Sequence, residues 1–495
     1  MPCLKYSYPL VIAFYLSTAT AAEHEVIIGF NERTGPPERK LIHDLGGTIQ
    51  HEYKLIPAIV ATLPEPALPA LNNHPLVAYI EGNSVVTTIE PPAESEASYT
   101  PELFAANTSS EYERSWGVQH IGSKTAHQQG ITGKGVKIAV IDTGIDYQHE
   151  DLNDNYQGGY NFIDGNDTPM DDSYNSHGTN VAGIIAAEKN GSGVVGVAPE
   201  ASLYSLKVLN SQGNGLTTSV IAALQWSVEH NMDIASISIQ GMHTKALQAA
   251  CNAAYEAGLL IIAAAGNSYG KAVSYPAAYS SVIAVTGTDA NDQFGYFSPI
   301  DTKIELSAPG VIIPSTARNG TYGMLSGTSQ AAPHVAGTAA LLMSRIPQYP
   351  TISGLKRNED IRMKLQMSIL DLGLAGKDEL YGYGLINAAL PKVNIDNVTC
   401  SDSAVTVRGT GFGRYLDNGT STTVIDTNTA AKCTIETWTT SQIIADCGRN
   451  ASGSVKVTSI FGNAYGTCYG SNQSPGRPNW WAMESWWSYW SWFRR

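Results

Sequence analysis

Four apolar runs of strand length constrain this chain more than any other feature of its 495 residues. They are Gly135-Val136-Lys137-Ile138-Ala139-Val140-Ile141, residues 202–209, Ile234-Ala235-Ser236-Ile237-Ser238-Ile239 and residues 259–265. Among the later runs, residues 217–231 and 245–257 carry apolar side chains at helical spacing. Strands alternating with helices predict right-handed crossovers and a mainly parallel sheet buried on both faces, an α/β architecture. Ligands of such sheets bind at the carboxyl ends of the strands. Asp142 ends the first run, where a carboxylate can face a site.

The chain is too long for one ordinary domain, and a hydrophobic fraction of 43% against 15% charged residues can fill several cores. A net charge of −14 with no cluster of Lys and Arg argues against nucleic acid as a partner and reads as solubility. Residues 1–22 combine Lys5, the apolar run 10–16 and small residues at 19–22, the layout of a signal peptide too short to span a bilayer. Export is therefore expected. Cys3 lies in that leader and Cys251 stands alone, whereas Cys400, Cys433, Cys447 and Cys468 share the C-terminal region. An even set in an exported chain reads as disulfides, with three pairings open, and closely spaced Cys or His pairs suited to zinc are absent.

Residues 23–88 read as β-α-β-β-α-β, a small split βαβ sheet. Residues 89–111, rich in Pro, Glu, Ser and Thr, read as an exposed linker in which a maturation cut is expected. The central unit covers residues 112–393. Beyond it, residues 394–470 shift to short alternating strands separated by Gly and Asn turns. Residues 471–495 form a tail dense in Trp.

Three segments of the central unit carry chemistry: Val140-Ile141-Asp142-Thr143-Gly144, Asn175-Ser176-His177-Gly178-Thr179 and Gly327-Thr328-Ser329-Gln330-Ala331-Ala332-Pro333-His334. A serine hydroxyl is a poor nucleophile unless an imidazole takes its proton and a carboxylate orients that imidazole. Together the segments resemble the subtilisin-like serine peptidases of the S8 family, in the chain order Asp, His, Ser. The resemblance implies a three-layer α/β domain in which Asp142 orients His177, His177 serves as general base and then general acid, and Ser329 attacks the carbonyl. Asn267, in Ala264-Ala265-Gly266-Asn267, matches the amide donor to the oxyanion.

The same resemblance makes residues 23–88 an I9-type, ferredoxin-like inhibitor propeptide. It assigns substrate contacts to Ser238, Ile239, Gln240 and Gly241 on one side, to Leu209 and Gly213 on the other, and to Ser274 at the base of the first pocket. Gln240 replaces a usual glycine and Ser274 a small residue, so a narrower or more polar pocket is expected. Gln330 replaces the usual methionine, and an amide resists the peroxide that oxidises a thioether. Asp151 and Asn190 match ligands of a structural Ca2+ site, with no counterpart near Tyr112 for the expected amide ligand. No organic cofactor is implied.

Residues 394–470 resemble the immunoglobulin-like IPT/TIG β-sandwich, for which a Cys433–Cys447 bridge between neighbouring strands is preferred, leaving Cys400 with Cys468. The tail reads either as a membrane-surface contact through its indoles and terminal arginines or as a segment docked on the protein. The expected protein is a monomeric, secreted endopeptidase acting on proteins or peptides. The competing class is a silent binding or adhesion protein that keeps the domain.

Overall fold

A computed structural model describes residues 22–89, 97–99, 110–345, 354–390, 393–401, 404–412, 422–427, 430–439, 441–448, 453–459 and 461–468. The expected leader, most of the linker and the Trp-rich tail lie outside the described residues. The chain divides into two compact units, Met1–Asn83 and Ser84–Arg495.

In the first unit the elements are β1 (Glu23–Phe30), α1 (Pro36–Asp44), β2 (Thr48–Glu52), β3 (Ala58–Pro64), α2 (Leu68–Asn72) and β4 (Val77–Gly82). The strands form one antiparallel sheet in the order β2-β3-β1-β4. Alternation in β1 sends Val26, Ile28 and Phe30 into a core shared with Ile42 of α1 and Leu71 of α2.

The second unit opens with β5 (Val85–Thr88), followed by β6 (Lys137–Asp142), β7 (Tyr156–Asn161), α3 (His177–Ala186), β8 (Ser202–Lys207), β9 (Asn214–Leu216), α4 (Thr217–Glu229), β10 (Ile234–Ile237) and β11 (Ile239–Gly241). It continues through α5 (Lys245–Glu256), β12 (Leu260–Ala264), β13 (Val282–Thr288), β14 (Leu306–Pro309), α6 (Thr328–Ser344), β15 (Ile369–Leu370) and β16 (Leu385–Ile386). Nine strands form the main sheet in the order β15-β16-β14-β13-β12-β10-β6-β8-β7, parallel except for the β15–β16 pair. Burial of both faces explains why the strands read as continuous apolar runs.

Two runs end differently from the sequence expectation. The run 202–209 stops as a strand at Lys207, because the N–H groups of Val208 and Leu209 turn onto the Asp142 carbonyl, at 2.9 and 3.3 Å. The run 234–239 breaks at Ser238, so that β11 leaves the main sheet for a small three-stranded one that it shares with β5 and β9. Helix α6 is buried along nearly its whole length, which its small residues Ala331, Ala332, Ala336, Ala339 and Ala340 permit.

The C-terminal region holds two antiparallel sheets. One contains Asn394–Cys400, Ala404–Thr410, Gln442–Asp446 and Thr434–Trp438; the other contains Thr423–Asp426, Gly453–Ser459 and Gly462–Cys468. Val405, Val407 and Ile443 from the first share a core with Val424, Val455 and Val457 from the second. Cys433 and Cys447 form a disulfide, Cys400 is also disulfide-bonded, and Cys251 is a buried free thiol in α5.

Candidate active site

Asp142 is the last residue of β6, and His177 is the first residue of α3. His177 Nδ1 lies 2.7 Å from Asp142 Oδ1, and both side chains are buried. An ionised carboxylate only accepts, so Nδ1 carries the proton and Nε2 is the basic nitrogen of the neutral ring. The same Asp142 oxygen accepts the N–H of Thr143 at 2.7 Å. Helix α3 is seated on this strand end by a buried network. The Thr143 hydroxyl accepts the Gly178 N–H and donates to Asp171, whose other oxygen takes the N–H and hydroxyl of Thr179.

Ser329 sits in the first turn of α6, just after Gly327. Gly327 has φ +152°, and a Cβ there would lie 2.9 Å from Asn267 Nδ2, so the turn needs glycine. Asn267 Oδ1 accepts the N–H of Thr328 at 3.0 Å and its hydroxyl at 3.2 Å. That anchoring fixes the amide orientation and makes Nδ2 its donor end. Gln330 Nε2 reaches Asn180 Oδ1 at 3.3 Å, linking α6 to α3 one turn beyond His177.

The groove is filled by the chain itself. Strand β5 lies between β9 and β11, antiparallel to both, pairing Thr87 with Asn214 on one side and with Gln240 on the other. The Thr88 N–H donates to the Gly213 carbonyl at 2.8 Å. Ile89 follows in the same direction, and the Ser329 hydroxyl lies 3.4 Å from its carbonyl oxygen and 3.5 Å from that of Ser238. Those carbonyls, rather than His177, receive the serine hydroxyl in this structure.

Residues 133–384 match the subtilase family, Peptidase S8. The chain is 39% identical over 368 residues to minor extracellular protease Epr of Bacillus subtilis (strain 168), covering 74% of this chain and 54% of that protein. It is 38% identical over 377 residues to Subtilisin NAT of Bacillus subtilis subsp. natto and to Subtilisin E of Bacillus subtilis (strain 168), covering 90% of each. The chain belongs to the subtilase family. Subtilases are serine-type endopeptidases, and the parallel sheet flanked by helices is the subtilase domain. The chain spans about half the length of Epr.

Within this subtilase the expected substrate residues separate into two groups. Ile239, Gln240, Gly241 and Gly213 border β5, and Ser274 Oγ donates to the Ala265 carbonyl beside Gly266. Ser238 points inward, its hydroxyl donating to the Ser329 carbonyl. Leu209 makes no backbone pair with β5 itself: it bridges Gly215, which pairs with Val86, while its N–H goes to the Asp142 carbonyl and its own carbonyl accepts Lys207 Nζ at 2.8 Å. Lys207 was not singled out by sequence. Its buried ammonium also holds the Thr143 carbonyl at 2.6 Å and Asp172 at 2.7 Å, tying the end of β6 to the groove wall.

Asp151 and Asn190 do come together. Asp151 is fully buried and accepts Asn190 Nδ2 at 2.9 Å, the Val194 N–H at 3.0 Å and the Tyr322 hydroxyl at 3.0 Å. Burial raises its pKa, and among the described residues no Lys or Arg pairs with it. A carboxylate, a side-chain amide and loop carbonyls suit a hard cation in kind. The amide nitrogen of Asn190 faces Asp151, so offering oxygen requires that side chain to turn over. Among the described residues no group of three or more His, Cys, Asp or Glu could hold a metal, and a cation here would depend on backbone carbonyls.

Five other histidines of this unit have structural partners. His127 bridges the Tyr112 hydroxyl and the Val197 carbonyl, and His149 meets the Thr321 carbonyl. His120 pairs with Asp292, His230 with the Trp226 carbonyl and His243 with the Tyr279 hydroxyl.

Proposed function

We propose that this chain is a secreted endopeptidase that cuts proteins through Ser329, His177 and Asp142, and that its first target is its own Ile89–Glu90 bond. The observation that carries this reading is the 3.4 Å approach of Ser329 Oγ to the Ile89 carbonyl at the end of a strand held from both sides. Hydrogen bonding along both edges fixes a substrate backbone in this way, while pockets select its side chains.

The chemistry follows from the placement of the groups. Ser329 turns to His177 Nε2, which removes the hydroxyl proton as the oxygen bonds to the carbonyl carbon. Asp142 stabilises the imidazolium. Charge that develops on the carbonyl oxygen is met by Asn267 Nδ2 and the Ser329 N–H. His177 then gives its proton to the leaving amine as the C–N bond breaks, leaving an ester on Ser329. Water, deprotonated by the same ring, releases the acid and restores the hydroxyl.

Residues 84–89 occupy the groove that a substrate would use, so the uncut chain is self-inhibited, and the expected propeptide, residues 23–88, leaves with Ile89 at its end. Ca2+, held by Asp151, Asn190 and the carbonyls of the following loop, would brace the domain and take no part in the chemistry. The C-terminal β-domain serves as an accessory module.

N-terminal sequencing of the protein produced with and without Ser329→Ala tests this reading. The parent chain is expected to yield a new N-terminus at Glu90 and the variant to remain joined there. A silent binding protein would leave that bond intact in both.

A further inference from the structure

We infer that the groove selects β-branched residues at three positions on the acyl side of the cut: next to the scissile bond, one before it and three before it. This rests on the endopeptidase reading above and names the substrates that site prefers.

Strand β5 and Ile89 report which substrate positions the groove encloses. Ile89 is 0% exposed, Thr88 3% and Val86 2%, whereas Val85 is 59% exposed. All three enclosed residues are β-branched. The walls are fitted to them. A Cβ at Gly213 would lie 2.4 Å from Thr88 Oγ1, and one at Gly241 would lie 2.9 Å from Val86 Cγ1. Beside Asn267, a Cβ at Gly266 would lie 2.7 Å from Ser274 Oγ and 3.8 Å from Gln240 Oε1.

Ser274 is fixed by its 3.1 Å bond to the Ala265 carbonyl, so the space beside Gly266 is bounded by one anchored hydroxyl, with the Gln240 amide oxygen further out. A large aromatic ring entering there must displace them, whereas isoleucine branches close to the backbone and stops short. Branching adds a second advantage. Such side chains are stiff at χ1 and favour extended backbone, so a peptide carrying them loses less freedom on joining a ladder paired at both edges.

A single methylene too many or too few in an apolar pocket is worth about 10–200-fold in kcat/KM, and Phe carries three more side-chain carbons than Ile. The test uses the processed full-length protein and fluorogenic peptides ending in Val-Thr-Thr-Ile before the reporter amide. Companion peptides carry Phe for Ile, Ala for the second Thr, or Ala for Val. Active sites are counted separately by fluorophosphonate titration. The Ile peptide is expected to exceed the Phe peptide by about tenfold or more, and each Ala replacement to lower kcat/KM. In Ser274→Gly the gap between Ile and Phe is expected to narrow.

Fully titratable enzyme that cleaves the Phe peptide as well as or better than the Ile peptide overturns the inference. Protein that neither titrates nor cleaves any of the peptides overturns the endopeptidase reading beneath it.

Discussion

Ser238 Oγ donates a 3.1 Å hydrogen bond to the backbone carbonyl of Ser329. Pro333, four residues further along α6, has no N–H to give that carbonyl, so the helix leaves it without its ordinary partner. The Ser238 side chain, next to the wall strand β11, supplies the missing donor and ties the Ser329 backbone to that wall. Ser238→Ala is expected to orphan a buried carbonyl, at a cost of about 1–3 kcal/mol. Denaturant unfolding of the variant should show a lower midpoint with an unchanged slope.

Asn267 is held by Thr328 through its oxygen, and in the proposed reaction its nitrogen end meets the developing oxyanion. Asn267→Ala is expected to lower kcat by about 10²–10³ while KM stays nearly constant, because the lost bond forms only in the transition state. Steady-state kinetics on one peptide measures both values. A rise in KM at constant kcat would make Asn267 a ground-state contact instead.

His334, one residue after Pro333, is fully buried, and burial pushes its pKa down to about 4. Its Nδ1 meets the Gln330 carbonyl at 2.7 Å. Unfolded, the ring titrates near its ordinary value of 6.5. Between these values the unfolded chain binds the proton and the folded chain does not, so this group's stability contribution falls as pH drops from about 6.5 towards 4 and is full above that window. Chemical denaturation at pH 7 and pH 5 should show the loss, and His334→Gln should shrink the difference between the two.

The chain's own residues made much of this site legible before any coordinates. Asp142, His177, Asn267 and Ser329 each sit in a short segment whose turn or helix start is written locally, and the apolar runs marked the strands. The contents of the groove were not legible. Residues 84–89 read as the end of one unit and the start of a linker, because their pairing with β9 and β11 depends on hydrogen bonds across more than a hundred residues. The same limit hid the role of Lys207, an ordinary strand residue by pattern, whose burial follows only once two distant oxygens, of Thr143 and Asp172, join the nearby Leu209 carbonyl around it. Leu209 is one strand removed from β5, bridged to Gly215, which itself pairs with Val86. The segment around it forms the groove wall, and direct backbone contact with the occupying strand begins at Gly213, whose carbonyl accepts the Thr88 N–H.

The proposed Ca2+ site has a readout independent of activity. Chelator is expected to lower the thermal midpoint of the parent protein, and Asp151→Asn to abolish that sensitivity. If Ca2+ is present at 100 times its dissociation constant, the linked stabilisation is about 2.7 kcal/mol. An identical midpoint with and without chelator would mean that the loop is held by its protein hydrogen bonds alone.

The central claim is that His177, oriented by Asp142, activates the hydroxyl of Ser329. Labelling of the processed protein with a fluorophosphonate, read by mass spectrometry of the modified peptide, tests it most directly. The label is expected on Ser329 and is expected to be lost in protein unfolded beforehand. A folded, processed protein that carries no label on Ser329, or carries it at another serine, would contradict the account.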